Sequence, residues 1–408
     1  MKLKKPFDFL RKNPNGETIR IEKDLKCCRN GYFLEIGQYF KTAQILLLVL
    51  FILVFTVFSL TNSESITYQN LYYFAKDFRT AIDNTEASGE GFAYDVDGNP
   101  TFEIYKGGLA ISGNERLRIL TASGGINLSA SLPLSNPELC ASTNLLMVYG
   151  RGGTACHIYN SFTRIHSETL DGAIRSAYLS EAGAYAVVCE DDTYASAVYV
   201  YSRNFQKINK YNLNSYVVSA PLSANGKNVA ILSYSVAEGV FTTHLRFARV
   251  GSDVVLCDYT VQGAFPLDVT FTADGRVLVL TDEGLYRVTE QNGGERIADL
   301  RESPITHFSS DADGIAVLQE GGAGSALLSV YGADGSLSYQ EDAPRTVRAV
   351  RKLGDALFLH TEREIIRYVE NGEKTSVACA EYSGELLAMS KDRAVLCTAG
   401  EAKYFLFE

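Results

Sequence analysis

The sequence contains no tryptophan and only five histidines in 408 residues. His157, His166, His244, His307 and His360 fall in different segments, with no His-x-x-x-His or His-Glu-x-x-His spacing. That excludes metal-hydrolase motifs in which two imidazoles share one helical face. A Gly-x-Ser-x-Gly elbow, a P-loop and a dinucleotide fingerprint are also missing. The glycine-rich stretches "NGGERI" and "QEGGAGSA" lie between strand-like runs and lead into no helix, so they read as loops. No spaced Asp-x-Asp-x-Asp calcium loop occurs, and Glu190, Asp191 and Asp192 of "CEDDTYAS" read as a solvated acidic turn. His157, inside an apolar alternating run, reads as a structural histidine. No catalytic residue, metal site or cofactor is expected.

Positive charge is sparse outside the N-terminal segment. Residues 1–41 carry ten Lys/Arg and five Asp/Glu, a net of +5. The whole chain is −10, so residues 42–408 carry −15. An acidic bulk argues against a nucleic-acid partner, which requires a basic footprint to displace counterions from phosphates.

Residues 42–60, "TAQILLLVLFILVFTVFSL", contain no charge at all. At 1.5 Å per residue such a helix reaches about 29 Å, the thickness of a hydrocarbon core. The basic residues precede it and none follows until Lys76. The positive-inside rule then predicts a single-pass protein of the cell membrane, with a cytoplasmic N-terminus and an extracytoplasmic C-terminal part. A cleaved signal peptide is disfavoured because the leading segment is far longer than an ordinary n-region.

Cys27 and Cys28 form an adjacent pair without further ligands nearby, and read as two reduced thiols. Cys140, Cys156, Cys189, Cys257, Cys379 and Cys397 sit singly in apolar strand-like runs, which reads as isolated core thiols rather than a disulfide framework.

What is present is a repeat. Eight segments share a turn, a continuous apolar run, a polar loop and an alternating strand. They are residues 107–124, 144–161, 181–204, 224–251, 271–288, 312–335, 353–372 and 391–408. Their spacing, about 37 to 47 residues, is the four-strand period of a propeller blade. Apolar runs suit strands buried on both faces between blades, and Val198-Tyr199-Val200-Tyr201 shows the period-2 alternation of strands nearer the outside. Asn225-Gly226, Asp274-Gly275 and Asp313-Gly314 suit tight turns that need positive φ. The expected fold is therefore all-β, a β-propeller of eight four-stranded blades, or seven if one unit is irregular, preceded by a single transmembrane helix. The last unit stops after its third strand, and "GFAYDV" (91–96) is positioned to supply the missing outer strand and seal the ring.

The units "LSANGKNVAILS", "FTADGRVLVLT" and "SSDADGIAVLQ" resemble the S-x-D-G-x-x-[VIL] element of WD40-like and quinoprotein-like propellers. Without tryptophan, the chain has neither the Trp-Asp dipeptide nor the Trp docking motif of quinoprotein blades. More narrowly, the arrangement resembles an uncharacterised family of bacterial, mostly Gram-positive, single-pass membrane proteins with an exported propeller. The resemblance rests on the "TYQNLYYFAKDF" stalk (67–78) and implies no established activity. The expected domains are a basic cytoplasmic segment (1–41), the span (42–60), a stalk (61–90) and the propeller (91–408).

Propellers bind at one mouth of the central channel, where loops entering the innermost strands converge. Here those loops are "DGAIRSAY", "NSYVVSAP", "QGAFPLDV", "ESPITHFS" and "APRTVRAVR". They nominate Arg175, Tyr216, Phe265, His307 and Arg348 as rim residues, aromatic and arginine side chains being favoured interface anchors. The expected function is a non-catalytic binding or scaffolding module at the cell envelope, held to the membrane by residues 42–60. Its partner would be an envelope protein or a glycan. The alternatives are an extracytoplasmic hydrolase or lyase acting on polysaccharide, or a ligand-sensing ectodomain.

Overall fold

A computed structural model of the chain describes residues 31–61 and 91–407, apart from positions 253, 291, 292, 323, 370–372, 381 and 382. The stalk motif at 67–78 and the Cys27–Cys28 pair lie outside the described residues. Those residues form one helix, Gly31–Thr61, and 32 strands, the helix and the strands belonging to separate compact units.

The expected membrane span is corrected. Among the described residues no helix is long and apolar enough to cross a membrane. The expected single-pass placement, with the N-terminus cytoplasmic, the C-terminal part outside and residues 42–60 as membrane anchor, falls with it.

The strands form eight four-stranded sheets, each a meander of consecutive antiparallel strands, except the last. We number the sheets as blades 1 to 8 in chain order. The first strand of each blade contacts its counterparts around the axis, so these eight strands line the central channel. Each of the eight repeat segments supplies the second and third strands of one blade. In blades 1, 2, 3, 5 and 7 every residue of the second strand is buried, as in Val277–Thr281. Both faces of that strand meet neighbours, which is why its apolar residues run on instead of alternating. Outer strands such as Lys207–Leu213 alternate in exposure because one face meets water.

The core is divided in the same way. Eight buried clusters fill the spaces between consecutive blades, one of them joining blade 8 to blade 1 through Phe102, Leu109, Val395 and Ala402. Burying a single Val or Leu in such a seam stabilises the ring by about 1.5–3 kcal/mol.

Turn chemistry sets the register at the start of the second strands. In blade 5, Asp274 Oδ1 accepts from the Thr272 hydroxyl (2.5 Å) and from the Arg276 amide (3.3 Å), while Gly275 adopts φ 85°. Asn225 and Gly226 (φ 67°) do the same work in blade 4. Glycine tolerates this left-handed backbone at no steric cost.

Closure follows the expected route. Strand Gly91–Ala93 pairs antiparallel with Glu401–Leu406 and becomes the outer strand of blade 8. Phe92 packs edge-on against Tyr404 at 6.0 Å, and the Tyr94 hydroxyl donates to the Thr398 carbonyl at 2.6 Å. The N-terminal end of the ring is thereby fastened to its C-terminal end, and the last blade has no bare edge.

Candidate functional site

Because strands alternate in direction, the face where the innermost strands begin also carries the loops between second and third strands. This face forms the channel mouth, and blade 4 dominates it. Its second and third strands, Asn228–Ala237 and Val240–Arg249, are ten residues each, against five and six in blade 3. The excess is a projecting hairpin whose tip turns at Glu238-Gly239, both with positive φ.

The register sends Tyr216, Tyr234, Val236 and Phe241 to one flank of that hairpin. There they gather with Phe265 from the loop entering blade 5. Tyr234 lies 5.6 Å from Tyr216 and 5.1 Å from Phe265, and Phe241 meets Phe265 edge-on at 5.3 Å. The cluster is not sealed: Tyr216 is 56% exposed, Val236 52% and Phe241 40%. Aromatic side chains held rigidly by one another, with one face in water, have the form of an interface anchor.

Beside this cluster a cavity of about 580 Å3 opens between blades 2, 3 and 4. Tyr149, Arg151, Arg175, Glu190, Tyr216 and Tyr234 are among its lining residues. Its charges are paired: Arg175 with Glu190, and Arg151 with Glu138 at 3.8 Å. Within the acidic turn, Asp191 binds Lys210 at 2.9 Å and accepts from the amides of Thr193 and Tyr194, bonds that hold its carboxyl below the usual range.

Deeper, the inner strands of adjacent blades point carboxyls toward one another. Glu103 stands on blade 1, Glu138 on blade 2 and Glu385 on blade 8, while Arg351 of blade 7 reaches Glu385 at 3.5 Å. Desolvation, with a contribution from neighbouring Glu385, pushes the Glu103 carboxyl up to about 7. Its hydrogen bond from the Ile104 amide (3.2 Å) and the charge of Arg351 only partly oppose this. Burial also raises Glu385. Asp268 of blade 5 is raised by burial too, against the Ser310 hydroxyl that donates to it at 2.5 Å.

The five residues nominated from the sequence divide into two groups. Arg175 and Tyr216 line one cavity, and Tyr216 joins Phe265 through Tyr234. His307 and Arg348 form a separate pair between blades 6 and 7, where the imidazole Nε2 lies 3.1 Å from the Arg348 carbonyl and the guanidinium binds Glu362 at 3.1 Å. Neither lines the cavity. Sequence reasoning missed Tyr234 and Phe241, although the segment 224–251 is longer than its relatives. It also missed the channel carboxyls, which stand as single charges inside short inner strands ("TFEIY", "PELCA", "ELLAM").

His157 Nδ1 lies 2.9 Å from the Ser167 hydroxyl, and burial lowers its pKa. Of the six described cysteines four are buried, and Cys189 lies in the cavity wall. Among the described residues no group of His, Cys, Asp or Glu is arranged to hold a metal ion.

Fold and site together define an eight-bladed β-propeller with an aromatic and ion-paired mouth. The chain belongs to a family of unknown function (DUF5711), whose model matches residues 92–378. None of the curated proteins matches it. Among solved structures it is similar to Sqt1 of Saccharomyces cerevisiae, with a TM-score of 0.55 at 10% identity over 78% of this chain and 100% of that one. Sqt1 of Chaetomium thermophilum, bound to the N-terminus of the ribosomal protein L10, gives 0.53 at 13% identity over 78% and 100%. BamB from Moraxella catarrhalis gives 0.51 at 10% identity over 78% and 97%. At these identities the likeness is one of fold.

Proposed function

We propose that this protein is a non-catalytic binding and scaffolding module that captures an extended polypeptide segment at the mouth of its channel. The observation that carries this reading is the half-exposed aromatic cluster of Tyr216, Tyr234, Phe241 and Phe265, adjoining a cavity walled by ion pairs. Apolar side chains of the partner would seat on the rings, and its backbone and charges would meet Arg175, Glu190 and Arg151. The Chaetomium Sqt1 structure, a propeller of similar outline that holds a protein N-terminus, supports the mode of binding by analogy.

The test is selection from a library of unstructured peptides against the full chain, followed by affinity measurement on the selected peptides. Tyr216→Ala and Phe265→Ala each weaken binding tenfold or more, as truncation of a central aromatic anchor does, and leave thermal unfolding in place. Selected peptides that bind both variants undiminished would overturn the reading.

A second reading, a hydrolase or lyase acting on polysaccharide, is favoured by one observation: three carboxyls on consecutive blades, of which Glu103 keeps its proton close to neutrality, as a general acid does. Polysaccharide turnover that is lost in Glu103→Gln, with peptide binding intact, would replace the first reading by this one.

A further inference from the structure

The projecting hairpin of blade 4 has a second flank, toward blade 3, and its chemistry is different. Strand parity that sends Tyr234 and Phe241 to one side sends Ser233, Ser235, His244 and Arg246 to the other, with Asp258 and Thr260 of the outer strand in the same rows. The strands of blade 3 are shorter, so this half of the flank extends past their cover. A cleft of about 490 Å3 results, closed on the blade 3 side by Asn212 of its outer strand and by the connector that carries Asn214 and Ser215.

Its polar groups are organised. Ser235 Oγ lies 2.8 Å from His244 Nε2, Ser215 Oγ donates to Ser233 Oγ at 2.8 Å, and Arg246 Nε donates to Asp258 Oδ1 at 3.1 Å. Arg246 and Asp258 neutralise each other, so the cleft carries paired charge and an excess of groups that both donate and accept: hydroxyls, carboxamides and an imidazole.

An uncovered blade flank that awaits another protein is apolar, as the opposite flank is. A purely apolar ligand here would strip water from these hydroxyls without replacing its hydrogen bonds. An ionic ligand would find each fixed charge already matched. The volume is that of a small-ligand site. We propose that this cleft binds a neutral polyhydroxylated ligand, an uncharged glycan chain, whose hydroxyls replace the water on Ser235, His244, Asn214 and Thr260. The site is independent of the peptide mouth and shares no aromatic anchor with it.

The experiment is an array of neutral and acidic oligosaccharides probed with the labelled full chain and three variants. Binding confined to neutral glycans, reduced at least tenfold in Ser235→Ala and in His244→Ala and unchanged in Tyr216→Ala, supports the proposal. Absence of binding, binding only to acidic glycans, or neutral binding undiminished in both cleft variants overturns it. Should His244→Ala unfold at lower temperature than the parent, Ser235→Ala, which removes one half-buried hydroxyl, decides alone. Tyr216→Ala separates this site from the peptide reading, because each can fail while the other stands.

Discussion

Replacing Glu103 by Gln should make the ring more stable in mild alkali and leave it unchanged in mild acid. The carboxyl titrates at about 7 in the folded chain against an ordinary 4.5. Between those values the folded ring keeps a proton that the unfolded chain has lost, so stability declines as pH climbs through this window, and the loss is complete above it. Each tenfold change in proton affinity is worth 1.36 kcal/mol, which gives about 3 kcal/mol as a ceiling and about 2–3 kcal/mol once water reaching a half-buried carboxyl is allowed for. Gln has the shape and neutrality of the protonated acid. At pH 4, below the window, variant and parent should therefore nearly coincide, and at pH 8.5 the variant should exceed the parent by that amount. Relief of Glu385, which carries its own burial penalty, adds to the gain. Unfolding entropy near 2.1 cal/mol/K per residue over roughly 320 residues converts ~3 kcal/mol into a midpoint shift of ~4–5 °C. The assay is thermal unfolding of both proteins from pH 4 to 9. Taking their difference cancels every titrating group that is not coupled to Glu103. Parallel curves across that range, or a variant less stable at pH 8.5, would refute the argument that the inner strands desolvate Glu103.

Lys352, 9% exposed, binds Asp311 at 2.7 Å and the Gly354 carbonyl at 2.7 Å, and so ties blade 7 to blade 6. Lys352→Met leaves the Asp311 charge without its cation and should cost about 3–5 kcal/mol in urea unfolding, part of which returns in the double variant with Asp311→Asn. Phe92→Ala removes a ring packed on Tyr404 and Gly124 at the closure, a loss of about 1.5–3 kcal/mol. Hydrogen exchange should speed up in Glu401–Leu406 by one to two orders of magnitude while the second strands of blades 3 to 5 keep their protection.

The ring was legible in the sequence because its physics is local and repeated. A strand buried on both faces must be apolar along its whole length, and a hairpin of positive φ needs Asn-Gly or Asp-Gly before it. Eight copies of that grammar, from "GGLAISG" to "DRAVLCTAG", therefore announce eight middle hairpins. Closure was legible for a related reason: the last repeat segment leaves an outer edge, and the strand-like run at 91–96 was a candidate to cover it, as Gly91–Ala93 does. The apolar stretch 42–60 was read as a span from composition alone, and among the described residues no helix is long and apolar enough to cross a membrane. The site obeys neither kind of rule. Glu103, Arg351 and Glu385 are assembled by the ring from blades 1, 7 and 8, and no spacing along the chain encodes a neighbour that closure brings round. What the sequence does carry is an exception to its own period. The segment 224–251 is longer than its relatives, and among the described residues it forms the one middle hairpin with ten residues in each strand. Core packing gives no reason for that length, since Val236, Val240 and Phe241 end in water. A repeat unit that departs from its siblings by lengthening toward the channel mouth, with tyrosine and phenylalanine on one flank and serine and histidine on the other, has acquired residues that stability does not require. Those residues form the two surfaces proposed to bind.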